Sequence, residues 1–176
     1  MLGRYEDFPE VIHGVARLTH ECQTRSVQQT ILSVLHNLNR QVCSLSVIVS
    51  HLPEKCEVSL EVGVAEGSDF NFLDEKELGR LERGVNEREF STLDFFFVFR
   101  YHIVNDLGKR VPLKFDYHLL RFIFQGASVE LRICHERGTQ RVPLEDFVTF
   151  IAKRINEELS QRQLKPLNLE YLRVLY

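Results

Sequence analysis

The sequence predicts an α+β fold of two layers, in which an antiparallel meander of about five strands is covered on one face by amphipathic helices. Several short runs alternate apolar and polar residues with a period of two, and two longer runs repeat apolar residues with the period of a helix. Turn-forming residues separate neighbouring β runs, which is typical of antiparallel hairpins. The 176 residues are predicted to form a single domain, 1–176.

The first predicted element is a helix over residues 26–40. Its apolar residues recur every three or four positions and form one stripe: Val27, Ile31, Val34, Leu35 and Leu38. Upstream of this helix, residues 8–21 fit a helix or a strand, and the sequence leaves both alternatives open.

Two strands are predicted next, over residues 42–50 and 56–65, because apolar residues alternate with polar ones in both runs. The proline-containing loop between them indicates a hairpin. A register with residue 50 opposite residue 56 would place Cys43 opposite Gly63, so a disulfide between the two cysteines of this hairpin is not expected.

Residues 66–91 interrupt the β pattern and are predicted to be a charged insertion with a short helix. Asp74 and Glu77 have the spacing of a capping box at a helix start, and Gly84 can end that helix.

The aromatic-rich run LDFFFVFRYHIV belongs to a predicted strand over residues 92–104, and it is interpreted as the wall of a core. Its odd positions are all apolar, whereas Phe96 is the one aromatic residue at an even position. A stacking platform would instead place several aromatic rings among Lys and Arg on the exposed face.

The next predicted strand covers residues 111–125. Its apolar residues change from odd to even positions at Leu119–Leu120, which predicts a β-bulge there. A five-residue loop before this strand would place Phe99 opposite Tyr117.

A tight turn at Gln125–Gly126 leads into the last predicted strand, 127–136, with Phe122 opposite Val129. The second amphipathic helix is predicted over residues 143–160, with Pro143 at its first position. Residues 164–176 form an unusually apolar C-terminal tail.

The composition favours an intracellular protein in a reducing, cytoplasmic compartment. No stretch approaches the roughly 18 apolar residues of a membrane span, and the N-terminal segment lacks the apolar region of a secretory signal. The four cysteines include no C-x-x-C pair. The net charge of −3 is unevenly distributed: residues 42–91 contain 11 acids and 5 bases, and residues 92–141 contain 5 acids and 8 bases.

No motif of a common catalytic or cofactor-binding site is present. The sequence contains no phosphate-binding loop, no nucleophile elbow and no zinc-protease motif, so no catalytic residue, metal ligand or cofactor is assigned. Cys134 is the one cysteine predicted on the polar face of a strand, and it is therefore the candidate for thiol reactivity.

The best candidate for nucleic-acid or anion binding is a set of basic residues on the outer sheet face and in its end loops. Its members are Arg100, Lys109, Arg110, Lys114, Arg121, Arg132, Arg137 and Arg141. Acidic residues lie among them in the sequence, so the alternative is a set of cross-strand ion pairs on a solvated face.

The apolar tail supplies the candidate partner interface, because so many apolar side chains are not expected to remain in water. Its members are Leu167, Leu169, Tyr171, Leu172, Leu175 and Tyr176. They dock either on the chain's own core or on a second subunit.

The leading hypothesis is therefore a non-enzymatic binding or assembly module that forms a homo-oligomer or binds a protein partner, with no membrane association. The first alternative is an RNA- or DNA-binding accessory protein that uses the basic outer sheet face. The second is a small-molecule binding protein or enzyme with a pocket between the sheet and the C-terminal helix.

Overall fold

The computed structural model describes residues 3–49 and 55–175, and over these residues it contains one antiparallel sheet with three α-helices on one face. The predicted α+β fold with two layers is therefore confirmed. None of the described helices is long and apolar enough to span a membrane.

The strands and helices of the described residues have the following bounds. The strands are β1 (Gly3–Arg4), β2 (Gly14–Thr19), β3 (Val42–Ser44), β4 (Cys56–Glu66), β5 (Asp69–Phe72), β6 (Thr92–Val104), β7 (Arg110–Gln125), β8 (Ser128–Gly138) and β9 (Asn168–Val174). The helices are α1 (Thr24–Leu38), α2 (Glu75–Glu87) and α3 (Leu144–Gln161). The strand order is β1-β5-β4-β6-β7-β8-β2-β9, and β3 pairs with β4 beside this order.

The main core lies between the sheet and the helices. The odd-numbered aromatic residues of β6 face this core, and Phe95, Phe97 and Phe99 are fully buried. The ring of Phe147 from α3 lies 5.0 Å from that of Phe97 and 4.9 Å from that of Phe99. The interpretation of this strand as a core wall is correct for its odd positions from Leu93 to Tyr101, whereas Ile103 is exposed.

Both amphipathic helices occur where the sequence predicts them, as α1 and α3. The short helix of the insertion is α2, and the carboxylate of Asp74 caps it by accepting a hydrogen bond from the Glu77 backbone N–H at 2.9 Å. The helix continues past Gly84 to Glu87, so the prediction that Gly84 ends it is wrong.

The predicted strand 42–50 is wrong beyond residue 44, because Leu45–Val47 form a 3-10 turn. The buried residues Leu45, Ile48 and Val49 have a helix-like spacing that alternation alone does not distinguish from a strand. In β3, Cys43 lies opposite Val58 rather than Gly63. Residue 50 lies outside the described residues.

The predicted bulge is misplaced, because the β7–β8 pairing is irregular between Tyr117 and His118 rather than at Leu119–Leu120. Leu119 and Leu120 belong to a regular stretch of pairing, with Leu120 opposite Phe95 and Leu119 opposite Phe96. Leu120 faces the main core, while Leu119 packs in a second, smaller cluster on the outer face. The change of apolar phase arises because both faces of the sheet are covered here.

The registers of the two neighbouring hairpins differ from the predicted ones. Phe99 lies opposite Asp116 rather than Tyr117, and the irregularity in the β6–β7 pairing falls between Arg100 and His102. In the β7–β8 hairpin, Phe122 lies opposite Leu131 rather than Val129. The turn consists of Gly126 and Ala127, one residue later than predicted, because Gln125 pairs with Ser128. The one-residue slip between β6 and β7 reverses the predicted faces of the first half of β7, whereas the two-residue shift between β7 and β8 leaves the faces unchanged.

Residues 8–21, for which the sequence left helix and strand open, form a segment without regular secondary structure followed by a strand. Residues 14–19 form β2, which lies between β8 and β9. Residues 5–13, the crossing segment, run from β1 at one edge of the sheet across its outer face to β2. Phe8 of this segment packs with Leu119 and Cys134.

Candidate functional site

The C-terminal tail forms the edge strand β9, which pairs with β2 of its own chain. Leu172 lies opposite Ala16, and Tyr171 lies opposite Arg17. The tail therefore docks on its own chain. Among the described residues, the other edge of β9 has no neighbouring strand, so part of its backbone hydrogen-bonding capacity faces outward.

The candidate interface residues divide into buried and exposed members. Leu167 is buried, and its backbone N–H and C=O are both held by the side chain of Asn156, at 2.8 and 3.1 Å. Leu172 is half-buried against the main core. The exposed members are Leu169, Tyr171 and Leu175, with 47%, 37% and 47% of their surface accessible. Tyr176 lies outside the described residues.

An open groove of about 960 Å³ lies between α3 and β9. Its apolar lining includes Leu18, Ala152 and Leu169, and Lys153 and Glu157 lie among its polar lining residues. This groove lies where the sequence suggested a pocket between the sheet and the C-terminal helix.

Four of the eight basic residues that were predicted to bind nucleic acid are engaged with acids. Arg121 is the most restrained, because its guanidinium donates two hydrogen bonds of 2.8 Å to Asp94 and lies 5.0 Å from the centre of the Phe8 ring. The hydrogen bond to Asp94 raises the pKa of Arg121. Asp7 of the crossing segment lies 3.3 Å away.

Three more members of the basic set form ion pairs. Arg100 lies 3.1 Å from Glu61, Arg132 lies 2.5 Å from Glu130, and Arg110 lies 3.8 Å from Glu57. The contacts of Arg100 and Arg110 match the alternative of cross-strand ion pairs, whereas Arg132 and Glu130 belong to the same strand, β8.

The other four members have no ion pair within the described residues: Lys109, Lys114, Arg137 and Arg141. Arg141 lies over the ring of Tyr101 at 5.5 Å, and Arg137 lies opposite Tyr117 in the β7–β8 pair.

Aromatic residues on the outer face were missed by the sequence interpretation. Because β7 has the opposite phase to the predicted one, Tyr117 and Phe115 lie on the outer face beside Phe96. A groove of about 470 Å³, here called the outer-face groove, opens next to them. Its lining residues are Glu61, Phe72, Phe96, Arg100, Tyr117, Glu136 and Arg137.

A buried polar cluster was also missed, and it is centred on Asp116. Its carboxylate accepts hydrogen bonds from the Tyr101 hydroxyl at 2.5 Å, from His135 Nε2 at 2.9 Å, and from the backbone N–H groups of Gln140 and Arg141 at 2.7 and 3.0 Å. Burial raises the pKa of Asp116, but these hydrogen bonds outweigh it and hold the pKa below its usual value.

His118 lies beside this cluster with its ring 5.0 Å from that of His135. Neither ring nitrogen of His118 has a hydrogen-bond partner within the described part of the chain. Burial, followed by the nearby His135, lowers the pKa of His118 to about 3. Extending the alternation of Leu120 and Phe122 back along β7 would have placed both Asp116 and His118 on the core face.

The main role of this cluster is to hold the backbone of the loop before α3 in place. The His135 side chain is only 8% exposed, and Gln140 Nε2 lies 3.3 Å from its Nδ1. Within residues 3–49 and 55–175, no three His, Cys, Asp or Glu side chains are placed to hold a metal. The Asp116 bonds join the loop before α3 to the sheet.

Cys134 does not have the predicted polar surroundings. It is 4% exposed in the cluster beneath the crossing segment, and burial raises the pKa of its thiol to about 11. A thiol with this pKa is largely protonated at neutral pH and is a poor nucleophile. The prediction that Cys134 lies on an open polar face is wrong.

Comparison of the chain with protein-family models, curated proteins and solved structures found no match. The described residues form an open α+β sheet with β9 as one of its two edge strands and an aromatic groove on its outer face.

Proposed function

We propose that this protein is a non-enzymatic assembly module that self-associates through the free edge of β9. The proposal depends mainly on one observation: this edge has no neighbouring strand in the described part of the chain and carries the exposed apolar residues Leu169, Tyr171 and Leu175. An edge with free backbone groups and apolar side chains can pair with another strand at little energetic cost.

The side chains of β9 favour a second copy of β9 as the strand that pairs with this edge. In an antiparallel pair centred on Leu172, Tyr171 of each copy lies opposite Arg173 of the other. Arg173 already lies over the Tyr171 ring of its own chain at 5.5 Å, so the same cation–aromatic contact can form twice across a two-fold axis. Pairing of this kind would extend the sheet of one copy into that of the next.

The expected association is reversible. β9 has seven residues, so edge pairing alone buries a small area compared with a stable interface, which usually buries at least about 1,000 Å². The mass in solution should therefore rise with protein concentration.

Sedimentation equilibrium over a range of concentrations tests the proposal. The wild-type mass should move from 20.6 kDa towards twice that value. Tyr171→Lys places a charge at the edge and should weaken association about tenfold or more. The matched control is Leu107→Lys, because Leu107 is 82% exposed in the β6–β7 turn, far from β9 in the strand order.

Circular dichroism should establish that both variants fold. A wild-type protein that stays monomeric at every concentration would contradict the proposal. Equal weakening by the two variants would also contradict it, because the association would then not depend on β9.

A further inference from the structure

A continuous row of aromatic rings crosses the outer face of the sheet. From the crossing segment to β7, successive ring centres are 4.6, 5.5, 5.0 and 4.7 Å apart. The rings belong to Tyr5, Phe70, Phe96, Tyr117 and Phe115. Rings on three different strands and on the crossing segment are thus in mutual contact.

The crossing segment covers only one end of this row. Phe70 is buried beneath it, with 5% of its surface exposed. Tyr117 and Phe96 are only half-buried, and both line the outer-face groove. The volume of this groove, about 470 Å³, lies within the range of small-ligand sites.

Two arginines lie among the uncovered rings. Arg137 is opposite Tyr117 in the β7–β8 pair and has no ion pair within the described residues. Arg100 contacts Glu61 at 3.1 Å and lies 5.8 Å from the centre of the Phe115 ring. Arg100 is therefore paired with Glu61, and Glu136 is the second acid in the groove lining, with no ion pair to Arg137 among the described residues.

Aromatic rings interleaved with arginines on an open sheet face suit a particular ligand chemistry. Flat bases stack on such rings, and the guanidinium groups contact the phosphates between them. The bases of a duplex are already stacked and paired, so they cannot lie flat on this surface. A single strand presents its bases freely.

We infer that the outer-face groove binds single-stranded nucleic acid, with bases stacked on Phe96 and Tyr117 and phosphate contacted by Arg137. This inference does not depend on self-association through β9, which lies three strands away from β7 in the sheet.

Fluorescence anisotropy with a labelled oligothymidylate of about ten nucleotides, at low salt, tests the inference. Tyr117→Leu keeps an apolar side chain but removes the ring, and it should weaken binding about tenfold. Tyr117→Phe keeps the ring and should bind as the wild type does. Because the chain has no tryptophan and five tyrosines, stacking on Tyr117 should also quench tyrosine emission.

The phosphate contact has a separate readout. Arg137→Gln should reduce the slope of log affinity against log salt concentration by about 0.7, the value for one phosphate contact to a single strand. Arg132→Gln is the matched control, because Arg132 is paired with Glu130 and lies outside the groove. It should leave the slope unchanged.

Three results would overturn the inference. The first is the absence of saturable binding by the wild-type protein. The second is equal affinity of the wild type and Tyr117→Leu. The third is equal binding of an abasic oligomer of the same length, since contact would then be purely electrostatic. Circular dichroism of each variant separates loss of binding from loss of folding.

Discussion

Two polar residues on the core face of β7 have opposite surroundings. Asp116 is fully buried and accepts four hydrogen bonds, so its charge is compensated. His118, two residues along, is equally buried but has no hydrogen-bond partner on either nitrogen among the described residues. Phe99 and Phe147 contact its ring instead. A neutral imidazole is tolerated in this environment, whereas a protonated one is not.

The free energy of unfolding is expected to decrease in mild acid because of His118. Its pKa in the folded protein is about 3, and in the unfolded chain it is about 6.5. Protons therefore bind the unfolded state preferentially between these values. Stability is fully present above about pH 6.5 and falls as the pH decreases towards 3. By pH 5 the loss should be about 2 kcal/mol.

Urea denaturation at pH 5 and pH 7 measures this difference in the wild type and in His118→Leu. The substitution should remove most of it, because leucine does not titrate. His36→Gln on α1 is the control for loss of a histidine elsewhere. Asp116 titrates below its usual value of 3.8, so its contribution is lost only at lower pH. An unchanged difference in His118→Leu would show that other groups cause the pH dependence.

At the scale of elements, the connection between β8 and α3 is held by the sheet itself. Asp116 binds the backbone of Gln140 and Arg141, while Gly138 passes close to β7 with φ of 123°. A Cβ atom at Gly138 would lie 2.2 Å from the carbonyl oxygen of Phe115 and 2.4 Å from Oδ1 of Asp116. This contact leaves no space for a side chain.

Gly138→Ala is expected to lower the free energy of unfolding by about 3 kcal/mol or more, because it adds both a clash and an unfavourable φ. Gly108→Ala is the matched control. Gly108 also has a positive φ, 75°, but no described atom lies within 4 Å of the position that a Cβ atom would occupy there. The control should lose only about 1 kcal/mol. Similar losses for both variants, measured by urea denaturation, would contradict the close approach.

At the scale of the whole molecule, the crossing segment covers part of the outer face, so the sheet has buried apolar residues on both of its faces. This segment joins β1 at one edge to β2 near the other, and Phe8 packs over Leu119 and Cys134. Arg121 binds Asp94 on β6 and lies beside Asp7 and the ring of Phe8. The crossing segment therefore links β1, at one edge of the sheet, to β2, next to the other edge, across the outer face.

Removal of Phe8 from this cover should expose Cys134. In the wild type, iodoacetamide should modify Cys134 more slowly than Cys22, which is half-buried, as measured by peptide mass spectrometry. Phe8→Ala should accelerate modification of Cys134 and lower the free energy of unfolding by about 2–4 kcal/mol. Cys22, in the same sample, is the internal control. Unchanged protection of Cys134 would mean that Phe8 does not provide its cover.

The local pattern of apolar residues was sufficient to predict the elements that bury a single face. Residues 26–40 and 143–160 have single apolar stripes, and both form helices close to those bounds. The β6–β8 meander and its α+β class likewise follow from alternation and turn residues. In the two helices, one side faces the core and the other faces solvent or polar neighbours.

Tertiary structure decided the registers, the faces and the candidate sites. Alternation assumes one buried face, but Leu119 and Leu120 are both buried because the crossing segment covers the outer face. That long-range contact inverted the predicted faces of Tyr117 and Asp116, and with them the aromatic groove and the buried cluster. The tail was recognised as apolar from its residues alone, but its position beside β2 depends on pairing with a strand about 150 residues earlier. Periodicity is a local property, whereas the partner that covers each face is determined by contacts distant in the chain.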